Sequence, residues 1–325
     1  MKRRRLGVGG PEISVLGMGT WAMGGAYSWG WGPSEDDNSI ATIRHAIESG
    51  INWVDTAPIY GLGHSEEVVG RALAAFDVGH DVLVSTKCGL DHSGLDENGR
   101  YLRDLRPASI RAECEASLSR LGIDCIDLYQ FHWPDHTTGT AIEDSWSTMV
   151  DLRDEGKVRW IGVSNLDVSQ IAACEEIHHV DSLQPILNIV ERSARDEAIP
   201  WCRQHGTGVI VYSPMASGLL SGKYDRSSIK DLAPDDWRRR SPHFTEPLLT
   251  RNLALIDELR WIAGQAGTTL PALAISWTLA TEGVTAAIVG ARTPEQVDGW
   301  LSAADLEPAE FQLQQIENAI ADAAA

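Results

Sequence analysis

Eight short runs of apolar and β-branched residues punctuate this chain, and sequence with helical spacing follows each of them. The runs cover residues 13–17, 51–55, 82–87, 126–132, 158–163, 182–187, 209–212 and 287–289. Between them, Ile40, Ile43 and Ile47 share one helical face before Gly50. Pro107 opens a helix that carries Ile110, Cys114, Leu118 and Leu121 on one stripe and stops at Gly122. A third spaces Ile142, Trp146, Met149 and Val150 before Gly156. Strict strand–helix alternation specifies a parallel sheet, and eight strands in 325 residues close it. The expected fold is α/β, a (β/α)8 TIM barrel forming a single domain over 1–325. An N-terminal β-hairpin caps it, and a helix from Pro308, with Phe311, Leu313, Ile316 and Ile320, packs outside. Two long loops are expected, at 91–105 after the third strand and at 223–247 after the seventh.

In such a fold chemistry sits at the C-terminal ends of the strands. Three runs end on Asp55, Lys87 and His132, and Tyr60 lies in the turn after the first of these. A carboxylate, an ammonium, an imidazole and a phenol at one mouth form a proton-transfer set. The plainer alternative is a buried Asp55–Lys87 ion pair with incidental neighbours. Trp29, Trp31 and Trp133 lie in loops at the same face and suggest an aromatic-walled pocket. Ser65 is read as the cap of the helix after Tyr60, with Glu66 and Glu67 in its first turn.

Other patterns are decoys. Gly17, Gly19 and Ala22 match G-x-G-x-x-A, but no helix follows to receive a pyrophosphate, so a Rossmann reading fails. His132 and His136 are four apart, but Pro134 between them prevents the helix that would align two metal ligands, and no metal site is expected. His178 and His179 read as a solvated pair, and Cys88 as a buried structural thiol turned away from Lys87.

The formal charge of −19 argues against nucleic acid and anionic membranes as partners. Any phosphorylated ligand must therefore meet cations gathered locally. Five cysteines without a paired spacing fit a reducing cytoplasm rather than a disulfide framework. The basic residues 2–5 are followed by glycines and proline rather than an apolar stretch, so a secretory signal is not expected.

Several segments in order resemble the aldo-keto reductase superfamily, and its bacterial branch related to potassium-channel β-subunits in particular. They are Gly17-Met18-Gly19-Thr20-Trp21, Asp55-Thr56-Ala57 with Tyr60-Gly61, and Gly156-Lys157-Val158-Arg159-Trp160-Ile161-Gly162-Val163-Ser164-Asn165. Tyr212-Ser213-Pro214, Ser217-Gly218-Leu219-Leu220-Ser221-Gly222-Lys223-Tyr224 and Val289-Gly290-Ala291-Arg292-Thr293-Pro294-Glu295-Gln296 complete the series. The resemblance implies an enzyme that reduces aldehydes or ketones with NADPH, NADH being possible, on a small-molecule carbonyl or sugar substrate. It implies Tyr60 as general acid, Lys87 and Asp55 as its tuning pair, and His132 as the donor that orients the carbonyl oxygen. It further implies that Ser164, Asn165 and Gln184 hold the carboxamide while Tyr212 stacks on the nicotinamide. Ser213, Pro214, Met215, Ser217, Gly218 and Leu219 would wrap the pyrophosphate near Lys223, and Gly290, Arg292 and Gln296 would take the adenosine end. Thr20, Trp21 and Asp55 would also face the cofactor, and Trp21, Trp29, Tyr60, His132 and Trp133 would line the substrate pocket. Gly299 and Trp300 depart from the family's usual Glu and Asn at the adenine. Two other readings stand beside this one. The first is an NAD-linked sugar or alcohol dehydrogenase, and the second a nucleotide-binding regulatory protein like the channel subunits. A Lys87 Schiff base is disfavoured because Asp55 keeps the amine protonated.

Overall fold

The computed structural model describes residues 1–95 and 100–324. Twelve strands occur among them: β1 (Arg3–Arg5), β2 (Glu12–Ser14), β3 (Leu16–Gly19), β4 (Trp53–Asp55), β5 (Leu83–Cys88), β6 (Leu90–Leu95), β7 (Tyr101–Arg103), β8 (Ile126–Phe131), β9 (Val158–Ser164), β10 (Ser182–Gln184), β11 (Gly208–Tyr212) and β12 (Ala286–Gly290). Eight of them close a parallel barrel in the order β3-β4-β5-β8-β9-β10-β11-β12, as the alternation of the sequence requires. The first barrel strand differs from expectation. The run at 13–17 splits at Val15, its first half pairing antiparallel with β1 and its second half entering the barrel. That hairpin plugs the N-terminal end, because Leu6 and Ile13 join Trp53, Leu128 and Ile210 in one buried cluster inside the barrel.

The helices begin and end where their apolar spacing indicates. Asp36–Glu48, Pro107–Leu121 and Ile142–Asp154 are each followed by the expected glycine, Gly50, Gly122 and Gly156, all at positive φ. Their apolar faces and the outward residues of the strands form the second, larger core. The last helix, Glu310–Ala324, packs on Leu248–Gln265 through buried Ile316 and Ile320, while Phe311 stays exposed. Neither long loop is plain coil. Residues 91–105 carry the β6–β7 hairpin, with 96–99 lying outside the described residues. Residues 223–247 hold three short helical turns, Arg226–Lys230, Trp237–Arg240 and Pro242–Phe244. The periodicity rule missed these turns because each is shorter than two helical repeats.

Candidate active site

Strand register brings Asp55 and Lys87 together, and Tyr60 and His132 join them from the loops beyond β4 and β8. Asp55 pairs with Ser85 across β4 and β5, and Lys87 pairs with Gln130 across β5 and β8, so residues at the strand tips share one level. Lys87 Nζ donates to Asp55 Oδ1 at 2.6 Å and to the Thr56 carbonyl at 3.0 Å, with both side chains buried. Asp55 Oδ2 accepts from Ser85 Oγ at 3.1 Å and Gln184 Nε2 at 2.9 Å, so three donors surround the carboxylate. Tyr60 reaches the same point from its turn, its ring centroid 5.3 Å from Lys87 Nζ and 5.8 Å from the His132 ring. The turn needs Gly61: its φ is +65°, and a Cβ there would sit 1.9 Å from the Gly24 carbonyl oxygen.

Burial sets the proton affinities. It pushes the Tyr60 phenol well above the ordinary tyrosine range, and the Asp55 carboxylate adds to the rise. Lys87 is lowered by burial against the opposing pull of Asp55. His132 is held well below the ordinary histidine range by burial, then by the positive charges of Lys87 and Arg103, so it is a neutral imidazole at neutral pH. Its backbone is fixed on both sides, N–H to the Cys88 carbonyl at 2.9 Å and carbonyl to Asn165 Nδ2 at 3.0 Å.

A cleft of about 610 Å³ opens beside Asp55 and Tyr60 and runs to the N-terminal turn of helix Pro294–Leu301. Ser213, Ala216 and Ser217 beside it, and Asn165 nearby, are non-glycine residues held at φ between +48° and +61°. Such strained backbone persists where the surroundings enforce it, commonly at ligand sites. Three cations, Lys223, Arg238 and Arg292, face the cleft in a chain of net charge −19. Cations, a tightly turned backbone and this volume fit a phosphate-bearing dinucleotide. Arg292 also has structural work, donating to the carbonyls of Trp31 at 3.3 Å and Pro33 at 2.5 Å.

The aldo/keto reductase family model matches residues 15–321. An aldo-keto reductase of Bacillus subtilis (strain 168) is 36% identical over 290 residues, 89% of this chain and 84% of that protein. An enzyme named NADH-specific methylglyoxal reductase, from Escherichia coli (strain K12), is 35% identical over 304 residues, 91% of each. A glycerol dehydrogenase of Gluconobacter oxydans superposes with a TM-score of 0.87 at 37% identity, covering 98% of this chain and 95% of that one. An aldo-keto reductase of Bacillus halodurans in its holo form gives 0.78 at 26%, covering 98% and 96%. The chain belongs to the aldo/keto reductase family. It is an NAD(P)H-dependent oxidoreductase.

The cleft of this aldo-keto reductase is lined by most of the residues expected there. Thr20, Trp21, Asp55, Tyr60, Tyr212, Ser213, Pro214, Met215, Ser217, Gly218, Lys223, Gly290, Arg292 and Gln296 all face it. Ser164, Asn165, Gln184 and Leu219 do not form its wall. The Leu219 side chain is fully buried in the outer core. The other three form a chain behind the wall: Tyr212 hydroxyl to Asn165 Oδ1 at 2.9 Å, Asn165 Nδ2 to Ser164 Oγ at 3.0 Å, and Ser164 Oγ to the Gln184 carbonyl at 2.7 Å. Trp29, His132 and Trp133 also lie off the wall. Trp133 is instead covered by the Arg103 guanidinium, 5.0 Å from its ring.

Some local expectations need correction. Gly63, at φ +100°, caps the helix His64–Leu73, while the Ser65 hydroxyl turns inward to Thr20 and Thr56. His178 and His179 are half-buried, the first beside Arg153 and the second bonded to Glu175 at 2.9 Å. The Cys88 thiol is buried, and burial raises it well above the ordinary thiol range, as an inert structural cysteine requires. Among the described residues no three His, Cys, Asp or Glu side chains converge on a metal position, and no helix is long and apolar enough to cross a membrane.

The sequence did not single out Trp237 and Arg238. Trp237 lies 5.3 Å from Trp21, 6.1 Å from Trp29 and 6.0 Å from Trp31, ring to ring. Arg238 forks onto Asp236, donates to the Tyr224 hydroxyl, and stands 4.6 Å over the Trp31 ring. The segment after β11 thus straps across the cleft onto the loop after β3. An Arg-rich, aperiodic stretch is the only signal that could have marked it.

Proposed function

We propose that this protein reduces small aldehydes or ketones to alcohols at the mouth of the barrel, with Tyr60 as general acid. One observation carries the reading: Asp55 and Tyr60, joined to the buried Lys87, lie in the wall of the same cleft as the strained phosphate-type turn Ser213–Ser217 and Arg292. A nicotinamide dinucleotide bound in the cleft supplies the hydride. Ser213, Ser217, Gly218, Lys223 and Arg238 would hold its pyrophosphate, Tyr212 its nicotinamide, and Gly290, Arg292 and Gln296 its adenosine. The chain's own residues manage the proton. The raised affinity of Tyr60 keeps its phenol protonated, ready to donate to the oxygen that gains negative charge. Neutral His132 keeps one N–H available as a donor to that oxygen. Lys87, anchored by Asp55, places positive charge beside Tyr60 and steadies the phenolate left after transfer.

We assign NADPH as the preferred cofactor because three cations converge on the cleft of an acidic protein. A second reading, NADH-linked turnover, is supported by the two carbonyls that already engage Arg292 and by the name of the E. coli relative. Residues 1–325 act as one barrel unit in this account, in a reducing cytoplasm where the five cysteines stay free. Parallel fluorescence titrations with NADPH and NADH, followed by a panel of neutral aldehydes, ketones and sugars, test it. Failure to bind either nucleotide, or binding without turnover of any carbonyl, would overturn the reading.

A further inference from the structure

Behind Asp55, a row of buried polar side chains crosses the barrel interior. Ser182 Oγ on β10 donates to Gln130 Oε1 on β8 at 3.1 Å, Gln130 Nε2 donates to Ser85 Oγ on β5 at 3.0 Å, and Ser85 Oγ donates to Asp55 Oδ2 on β4 at 3.1 Å. All four are at most 2% exposed. The direction of every bond is forced from its end. A carboxylate only accepts, so Ser85 must donate to it and can then accept from the amide of Gln130, whose oxygen is left for Ser182. Bonds aligned head to tail polarise one another toward the charge.

The strand between β8 and β10 is built to let this row pass. Gly162 on β9 is the register partner of both Gln130 and Ser182. A Cβ at Gly162 would meet Ser182 Oγ at 2.1 Å and Gln130 Cγ at 3.3 Å. Its φ is not positive, so the glycine serves space rather than backbone conformation. Gln130 reaches Ser182 across the gap that a side chain would fill.

We propose that Gln130 is a positioning residue of the reaction, aiming the Ser85 hydroxyl at Asp55 so that the carboxylate keeps its other oxygen on Lys87. The inference rests on the reading of Asp55, Lys87 and Tyr60 given above. Gln130 does not line the cleft and acts through Ser85 and Asp55.

The test compares Gln130→Leu, Ser85→Ala and their combination. Gln130→Leu is expected to lower kcat about tenfold or more, the scale of one hydrogen bond to a charged group. Its nucleotide Kd should stay within about threefold, and the double variant should be no worse than the poorer single, since both break one row. With Gln184 left as the one well-aimed donor on Asp55 Oδ2, the carboxylate turns more freely and its contact with Lys87 loosens, so the alkaline limb of the kcat profile should move to lower pH. An unchanged kcat and profile, or losses that multiply in the double variant, would overturn the proposal. If Gln130→Leu fails to fold, Gln130→Leu combined with Ser182→Ala removes the hydroxyl that has lost its acceptor while Ser85 still donates to Asp55, and decides the same question. A second readout does not depend on turnover. The chain has five lysines, Lys2, Lys87, Lys157, Lys223 and Lys230, so the Lys87 signal of ε-13C-lysine protein can be assigned by NMR. A lower Lys87 titration midpoint in Gln130→Leu supports the relay even if no carbonyl substrate is turned over, and an unmoved midpoint refutes it even in an active reductase.

Discussion

Replacing Lys87 by Met separates what the buried ion pair does for folding from what it does for chemistry. Lys87 and Asp55 are both almost wholly buried, and their contact is 2.6 Å. Removing the cation leaves a carboxylate inside the barrel with two remaining donors, Ser85 and Gln184. Breaking a buried pair from one side costs about 3–5 kcal/mol, and the two surviving hydrogen bonds place this case near the lower end, at ~3 kcal/mol. For a chain of this size that corresponds to a fall in Tm of roughly 4 °C. Adding Asp55→Asn removes the orphaned charge while an amide oxygen still accepts from Ser85 and Gln184, so most of the stability should return. Activity should not return, because the positive charge beside Tyr60 is still missing. The assay is denaturant unfolding of Lys87→Met, Asp55→Asn and the double variant, with steady-state reduction measured alongside. A double variant as unstable as Lys87→Met alone would show that the lysine stabilises through packing rather than charge. A double variant that regained turnover would remove Lys87 from the mechanism.

Tyr60→Phe should cut carbonyl reduction by ~10²–10⁴-fold with nucleotide affinity nearly unchanged, and a mild loss on an ordinary aldehyde would mean another group is the acid. Arg292→Ala should narrow any preference for NADPH over NADH by ~10-fold, the scale of one charged hydrogen bond. Equal loss for both nucleotides would instead mark Arg292 as the brace of the Trp31–Pro33 loop. Glu113, pushed up to about 8 by burial despite the Gly89 N–H it accepts, holds a proton in the folded state that the unfolded chain has released above its ordinary carboxyl range. The folded state therefore binds the extra proton, so this contribution is full below about pH 4.3, declines as pH rises, and is gone above about pH 8. Glu113→Gln should flatten that slope in denaturant midpoints measured against pH.

The barrel was legible because each strand and helix carries its own period, and because the alternation recurs often enough to leave one closed topology. The meeting of Asp55, Lys87 and His132 at one mouth was legible for a related reason, since residues ending successive parallel strands come together there. Less was legible where placement depends on contacts distant in sequence. Nothing in Ser65 itself says that its hydroxyl turns to Thr20 and Thr56 rather than capping its helix. Leu219 sits amid cleft residues, yet the turn Leu219–Ser221 rotates it into the core. Trp237 and Arg238 find their partners some two hundred residues away, at Trp21 and Trp31, and no local pattern encodes that pairing.

Reading the inward-facing residues of each strand from bottom to top exposes a gradient that locates the site before any ligand is considered. Alternation selects Trp53 then Asp55 on β4, Leu83, Ser85 and Lys87 on β5, Leu128 then Gln130 on β8, and Trp160, Gly162 and Ser164 on β9. On β11 the order is Ile210 then Tyr212. The intervening residues, Val54, Val84, Tyr129 and Ile161, belong to the outer apolar core. An interior that is apolar at the hairpin-capped end and becomes polar, then charged, toward the strand tips has little to gain in stability from its upper half. Buried ions and amides cost solvation that apolar side chains of the same volume would not. The buried polar side chains there are nevertheless hydrogen-bonded in one row, from Ser182 through Gln130 and Ser85 to Asp55 and Lys87. A network that is complete but energetically unnecessary to the fold is best explained by what it holds in place, the single carboxylate that orients the lysine beside Tyr60.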